Sequence, residues 1–217
     1  MPTDGNTPMT RGKFITLEGP EGAGKSTHLK ALAERLQAHG IPVITTREPG
    51  GTKLGEAVRG LLQFDTAGES PVPTAELLLF LASRAQLVHN VIRPALEQGT
   101  WVLSDRFCDS TFAYQGYGRG MNIEELRAIN AFATQGLMPD LTLLLDIPQQ
   151  ESRQRVAGRS GKADRFEQER EAFHLRLAEG FRALAAAEAQ RIRRIDSTTP
   201  QALTAEAVWA AVRPLLP

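Results

Sequence analysis

The chain has 217 residues, 41% of them hydrophobic, which suffices to bury the core of one ordinary domain without disulfide or metal staples. Its 25 Lys and Arg balance 25 Asp and Glu, and a net charge of zero excludes a general nucleic-acid binder, which carries a basic excess. One cysteine, Cys108, and four scattered histidines exclude a disulfide framework and a four-ligand zinc site.

Residues 1–12 are polar and rich in Thr, Pro and Gly, and are expected to form a flexible leader ahead of a single domain spanning 13–217. A β-rich run, residues 14–18, ends at a glycine-rich loop. Helical spacing of Leu29, Leu32, Ala33 and Leu36 predicts a helix over 25–39, stopped by Gly40. A second strand is predicted at 43–46, followed by the REPGG loop at 47–51 and a short helix at 56–64. After a Gly, Ser and Pro-rich loop comes a long helix, 74–98, apolar on more than one face. Residues 101–104 form a third strand with Asp105 at its end, and helices follow near 109–115 and 122–135.

The nearly continuous apolar run LTLLLD at 141–146 reads as a buried parallel strand. Residues 152–164 are basic and broken by glycines. A long helix from about 165 to 190, a last strand at 193–196 and a terminal helix at 200–216 complete the chain. Short apolar strands alternating with helices predict a three-layer α/β fold, with a central parallel five-stranded sheet flanked by helices. No apolar run approaches the length of a bilayer span, and no signal pattern opens the chain, so no membrane association and a cytoplasmic setting are expected.

The segment GPEGAGKS, Gly19 to Ser26, matches G-x-x-x-x-G-K-[ST], follows a predicted strand and opens a predicted helix. Its glycines allow tight turns that aim backbone N–H groups at phosphate oxygens, and the helix adds its positive end. Gly19, Pro20, Glu21, Gly22, Ala23, Gly24, Lys25, Ser26 and Thr27 are therefore expected to bind ATP. Lys25 is expected to reach the β- and γ-phosphates, and the Ser26 hydroxyl suits Mg²⁺. The spacing differs from G-x-G-x-x-G, which disfavours a dinucleotide-binding fold. Asp65 to Gly68 fits the D-x-x-G of GTPase switches, but no N-K-x-D guanine-reading motif accompanies it.

Transferring a phosphoryl group between two anions is chiefly a matter of positioning and neutralising charge. Arg47 in REPGG and Arg106 in Asp105-Arg106-Phe107 follow strand ends, and parallel strands open their C-terminal ends on one edge, where such sheets bind ligands. Both are expected to face the phosphate loop there. Asp105 is placed to hold Mg²⁺ directly or through water. Arg35, Arg59, Arg127, Arg182 and Arg194 lack such positions and read as solvated surface charges.

The order EGPEGAGKST, TREPGG, LLLFLASRAQ, SDRF with STFAYQG, and ADRFEQE resembles bacterial thymidylate kinase from Phe14 to the C-terminus. The resemblance implies a P-loop nucleoside monophosphate kinase, transfer of the ATP γ-phosphate to dTMP, and a homodimer. It implies that Arg47 and Arg106 hold the acceptor phosphate, that Phe80 stacks on thymine and that Arg84 bonds the base edge. Thr111 and Gln115 would also contact the nucleotide, Tyr114 would crowd the sugar 2′ position, and Glu21 would lie near the acceptor sugar and the metal. Taken alone, Phe80 in an apolar helix reads as core. Arg84 four residues later puts a forked donor on the same face.

Some members of that family carry an Arg inside the phosphate loop. Here Pro20, Glu21, Gly22 and Ala23 occupy those positions, so the catalytic Arg is expected in a lid at about 150–165, with Arg159 first and Arg155 second. Another nucleoside monophosphate or deoxynucleoside kinase, and a P-loop switch ATPase, stand as alternatives.

Overall fold

The computed structural model describes residues 11–64, 66–158, 165–167 and 169–217. Residues 1–10 of the expected leader, Asp65 of the D-x-x-G match, and residues 159–164 of the expected lid, Arg159 and Asp164 among them, lie outside the described residues. In chain order the elements are β1 (Phe14–Glu18), α1 (Lys25–Ala38), β2 (Val43–Arg47), α2 (Lys53–Gln63), α3 (Pro73–Leu87), α4 (Arg93–Glu97), β3 (Trp101–Asp105) and α5 (Cys108–Thr111). Then come α6 (Ile123–Thr134), β4 (Leu141–Asp146), α7 (Gln149–Ala157), α8 (Glu171–Ala187), β5 (Ile192–Asp196) and α9 (Gln201–Val212). The strands form one parallel five-stranded sheet in the order β2-β3-β1-β4-β5.

Side chains alternate across each strand, so one strand feeds two cores. Phe14, Val102 and Leu144 point into the core under α3, α5, α6 and α8, together with Leu81, Ile92, Phe112 and Phe181. Ile15, Leu17, Leu103 and Leu143 point into the opposite core, where Leu29, Leu36, Val208 and Trp209 of α1 and α9 cover them. Two apolar layers clamp the sheet, and the register sets Leu17 and Arg47 beside Asp105 at one level. The C-terminal ends of β1, β2 and β3 thereby become one platform.

Several helices depart from the sequence expectation for local reasons. The helix expected at 74–98 widens into a π-helical turn at Val88–Ile92 before α4. Pro94 has no N–H, and its ring would strike the carbonyl four residues back, so the turn opens there. A similar widening at Phe112–Gly118 follows α5. α2 begins three residues earlier than expected because the Thr52 hydroxyl caps it, accepting from Gly55 N–H at 3.0 Å. The basic stretch after 148 contains α7, and α8 begins only at Glu171. Residues 165–167, expected to open that long helix, form a turn instead. Arg165 there donates to Leu62 O at 3.1 Å and to buried Glu76 at 2.5 Å.

Candidate active site

The glycine loop crosses from β1 to α1 over the platform. Gly19 has φ 132°, and a Cβ there would lie 2.4 Å from Leu145 O, so only glycine fits. Gly24, at φ 86°, holds the left-handed turn that opens α1. Neighbouring elements tie the loop down: Ser152 donates to Glu21 O and Ser197 to Ala23 O, both at 2.7 Å. Arg155 donates to Gly22 O, to Ser197 O at 2.8 Å and to Glu151. Arg155 therefore braces the outside of the loop, and it is absent from the lining of the polar cavity on the inside.

That cavity, about 320 Å³, is lined by Lys25, Ser26, Thr27, Arg47, Asp105 and Arg106, with Glu21, Gly24 and Arg59 among others. The strand-end cations and the loop expected to converge do converge. Lys25 is buried and donates to Gly19 O at 3.1 Å and Pro20 O at 2.8 Å. Burial lowers its pKa, and Arg106 adds to that, while Glu21, Asp105 and Glu18 oppose it. Arg47 pairs with Glu56 at 2.8 Å. Ser26 Oγ donates to Asp105 Oδ2 at 2.7 Å.

Arg59 corrects the sequence reading. It lines the cavity half-buried and donates to Pro49 O at 3.0 Å, so it is not a solvated surface charge. By contrast, Arg35 pairs with Glu206, Arg127 with Glu188, and Arg182 and Arg194 with Asp146, all outside the site.

Arg106 is a non-glycine residue at φ 74°, a costly backbone state that persists where surroundings over-determine it. Its N–H donates to Leu17 O at 3.0 Å, and its carbonyl accepts from Ser104 Oγ at 2.8 Å. Its guanidinium pairs with Glu21, donates to Gly19 O and Ser110 Oγ at 3.1 Å, and lies 5.1 Å from the Tyr114 ring centre. Burial opposes its charge, but Tyr114, Glu21, Asp105 and Glu18 outweigh burial and raise its pKa.

Under this turn sits Glu18, fully buried, accepting from Phe107 N–H at 2.7 Å and Ser110 Oγ at 2.5 Å. Burial, with Asp109 adding, pushes the Glu18 carboxyl up to about 7, although Arg106 and the two donors pull the other way. The folded chain then holds a proton between pH 4.5 and about 7 that the unfolded chain has released. Stability contributed by this group falls as pH rises through that window and levels off above it. Denaturant melts between pH 5 and 8 should give a less negative slope for Glu18→Gln than for the parent chain. Equal slopes would refute a titrating Glu18.

A second, largely apolar pocket adjoins the first and shares Glu21, Glu48, Gln63 and Arg106 with it. Phe80, Arg84, Thr111, Tyr114 and Gln115 all line it, so the expected acceptor residues are brought together. Phe166 and Glu48 line it as well, and sequence reasoning assigned no role to either. Both lie inside motifs already singled out, ADRFEQE and REPGG, and that was the available signal. Phe166 sits 5.9 Å from Phe80 and 5.7 Å from Tyr114, ring centre to ring centre. It forms part of the wall of this pocket of about 40 Å³.

The Arg84 guanidinium, which the resemblance assigns to a base edge, is already bonded within the chain. All five N–H donors are engaged, by Glu48 at 2.8 and 2.6 Å, Thr111 at 2.9 Å, Phe107 O at 3.0 Å, and Asn130. Contact with a base edge requires it to share or release one.

The comparisons with known proteins agree with this geometry. The family model described as thymidylate kinase matches residues 17–208. A thymidylate kinase of Synechococcus sp. is 52% identical over 203 residues, covering 94% of this chain and 96% of the relative. One of Deinococcus radiodurans is 52% identical over 204 residues, covering 94% and 98%. The crystal structure of thymidylate kinase from Ehrlichia chaffeensis superposes with a TM-score of 0.76 at 32% identity, covering 94% of this chain and 99% of that one. With the phosphate loop, the strand-end arginines and the aromatic pocket on one sheet edge, the chain belongs to the thymidylate kinase family and is a nucleoside monophosphate kinase that phosphorylates dTMP with ATP.

Proposed function

We propose that the polar cavity takes the ATP phosphates and the acceptor phosphate together, and that the adjoining pocket takes thymine against Phe80. The observation that carries this is the pair of cavities sharing Arg106 and Glu21, one polar with Lys25, Arg47, Arg59 and Arg106 in its lining, the other aromatic. The phosphate loop holds the ATP phosphates, with Lys25 at the β- and γ-phosphates. Arg106 and Arg47 hold the acceptor phosphate opposite. That monoester has a second pKa near 6, so it is mostly a dianion at neutral pH and needs no general base. The chain's task is to align two anions and offset their repulsion.

Ser26 and Asp105 offer two hard oxygens 2.7 Å apart, a donor set that fits Mg²⁺. Among the described residues no three His, Cys, Asp or Glu side chains gather into a cage, in keeping with an ion that keeps waters and phosphate oxygens as ligands. Bound there, Mg²⁺ would neutralise phosphate charge. Tyr114 would crowd the 2′ position of a ribonucleotide. Arg155, bonded to the outside of the loop, fits a bracing role, and the lid at 150–165 with Arg159 remains the proposed source of the further catalytic cation.

A coupled assay for ADP across dTMP, dUMP, dCMP, UMP, AMP, GMP and thymidine tests the reading. The highest turnover is expected with dTMP, and none with thymidine, which lacks the acceptor phosphate. ADP release that is independent of any acceptor would instead mark an ATPase.

A homodimer and a cytoplasmic setting complete the proposal. α3 packs against both α2 and α6, and these three helices expose Leu54, Leu78 and Phe132. Sedimentation should return twice 23.7 kDa, and Leu78→Glu should return the monomer mass. A monomeric parent would refute the assembly. The one cysteine, Cys108, is buried and free, in keeping with a reducing compartment, and among the described residues no helix is long and apolar enough to cross a membrane.

A further inference from the structure

Beside the aromatic pocket lies a carboxylate that the chemistry above does not use. Glu76 stands in the first turn of α3, four residues before Phe80, with no exposed surface. Three side chains from elsewhere in the chain bring donors to it. Gln115 donates from Nε2 at 2.8 Å, Arg119 from Nη2 at 3.1 Å and Arg165 from Nη2 at 2.5 Å. A Glu serving only the helix dipole would do so from the surface, without such a set of partners.

We propose that Glu76 is a positioning residue for base specificity: by accepting from Gln115 Nε2 it turns the amide oxygen of Gln115 toward the pocket, selecting an acceptor base that carries a ring N–H. This rests on the reading that the pocket takes the acceptor's pyrimidine. A carboxylate paired with two guanidiniums only accepts, so the amide approaches it by its NH₂ group alone. The opposite orientation would set two oxygens face to face at 2.8 Å. Gln115 lines the pocket, and among the described residues nothing donates to its Oε1. Thymine and uracil present N–H at N3. Cytosine presents a lone pair there and would leave two acceptors opposed, a buried mismatch of the kind that gives strong discrimination.

The test is steady-state kinetics with dTMP, dUMP and dCMP. Glu76→Gln keeps the side-chain shape but adds an NH₂ that can donate to Gln115 Oε1, which frees the amide to turn over. The ratio of kcat/KM for dTMP over dCMP should fall at least about tenfold, while the ratio for dTMP over dUMP stays put because both bases carry N3–H. Arg119→Met removes a partner of the same carboxylate without touching the amide. It should leave the dTMP to dCMP ratio unchanged even where thermal stability drops. Gln115→Leu should lower that ratio by itself, and adding Glu76→Gln should lower it no further.

An unchanged ratio in Glu76→Gln, an equal fall in Arg119→Met, or additive losses in the double variant would each overturn the proposal. If the parent enzyme forms ADP no faster with dTMP than without it, the acceptor reading fails first and the proposal falls with it. Normal dTMP turnover with an unmoved ratio refutes the role of Glu76 alone.

Discussion

Lys25→Met should lower kcat by about 10²–10³-fold while KM for ATP and for dTMP moves by only a few-fold. In the proposed assignment the ammonium stands where charge passes from donor to acceptor, and two carbonyls of the glycine loop, Gly19 O and Pro20 O, hold it in place. A cation fixed in advance costs no reorganisation as the transferred group moves, so its contribution is largest in the transition state. Met keeps an apolar stem and removes the charge together with the donors to Gly19 O and Pro20 O. Burying that charge is itself unfavourable, the main reason its pKa is lowered, which offsets the two lost hydrogen bonds, so the variant should melt close to the parent.

Lys25→Arg should not rescue the rate. A planar fork presents its donors differently from a compact ammonium. Gly19 O already takes a donor from Arg106 as well as from Lys25, so little room remains for a second guanidinium. Initial rates with both substrates varied, alongside thermal melts, decide the matter. A loss carried wholly by KM for ATP would mean that Lys25 contributes ground-state binding only.

The features that chain order alone made legible are those governed by local chemistry. The five short strands expected at 14–18, 43–46, 101–104, 141–146 and 193–196 match, to within a residue at their ends, the five strands of the sheet. Because parallel strands share one C-terminal edge, placing Arg47 and Arg106 near the phosphate loop needed no coordinates. The glycine spacing likewise dictated its own turn. Pro94 carried the signal for the break in the helix read as continuous over 74–98, since a proline inside a helical pattern marks a kink, but the apolar run on either side outweighed it. What stayed hidden depends on distant partners. Glu76 in a helix's first turn reads as an ordinary exposed dipole partner until folding brings Gln115, Arg119 and Arg165 onto it. Arg59 has the same amphipathic context as any helix-surface arginine, and only the packing of α2 against the REPGG loop turns it into the cavity. Phe166 followed a basic stretch and looked like the start of a helix, yet its burial among Phe80 and Tyr114 makes it the cover of the pocket.

Arg84→Ala should raise the dissociation constant for dTMP far more than that for ATP, and should also cost the fold about 3–5 kcal/mol. The two losses have separate origins. Arg84 is 1% exposed, and its main partner Glu48 is buried too, with a carboxyl pKa already raised by burial against the pull of Arg84. Deleting the guanidinium leaves that carboxylate without its counter-charge, the costly way to break a buried pair. It also removes the group that ties Thr111 and Phe107 O of the pocket to Asn130 of α6.

A double variant, Arg84→Met with Glu48→Gln, separates these effects, because neutralising both partners of a buried pair is far less costly than removing one. Its melting temperature should return most of the way to the parent value while dTMP binding stays weak. Calorimetric titration with each nucleotide, well below the melting point, reads the binding directly. Recovery of dTMP binding along with stability would show that Arg84 only supports the fold. An equal weakening of ATP and dTMP would place its influence on the whole sheet edge and not on the base.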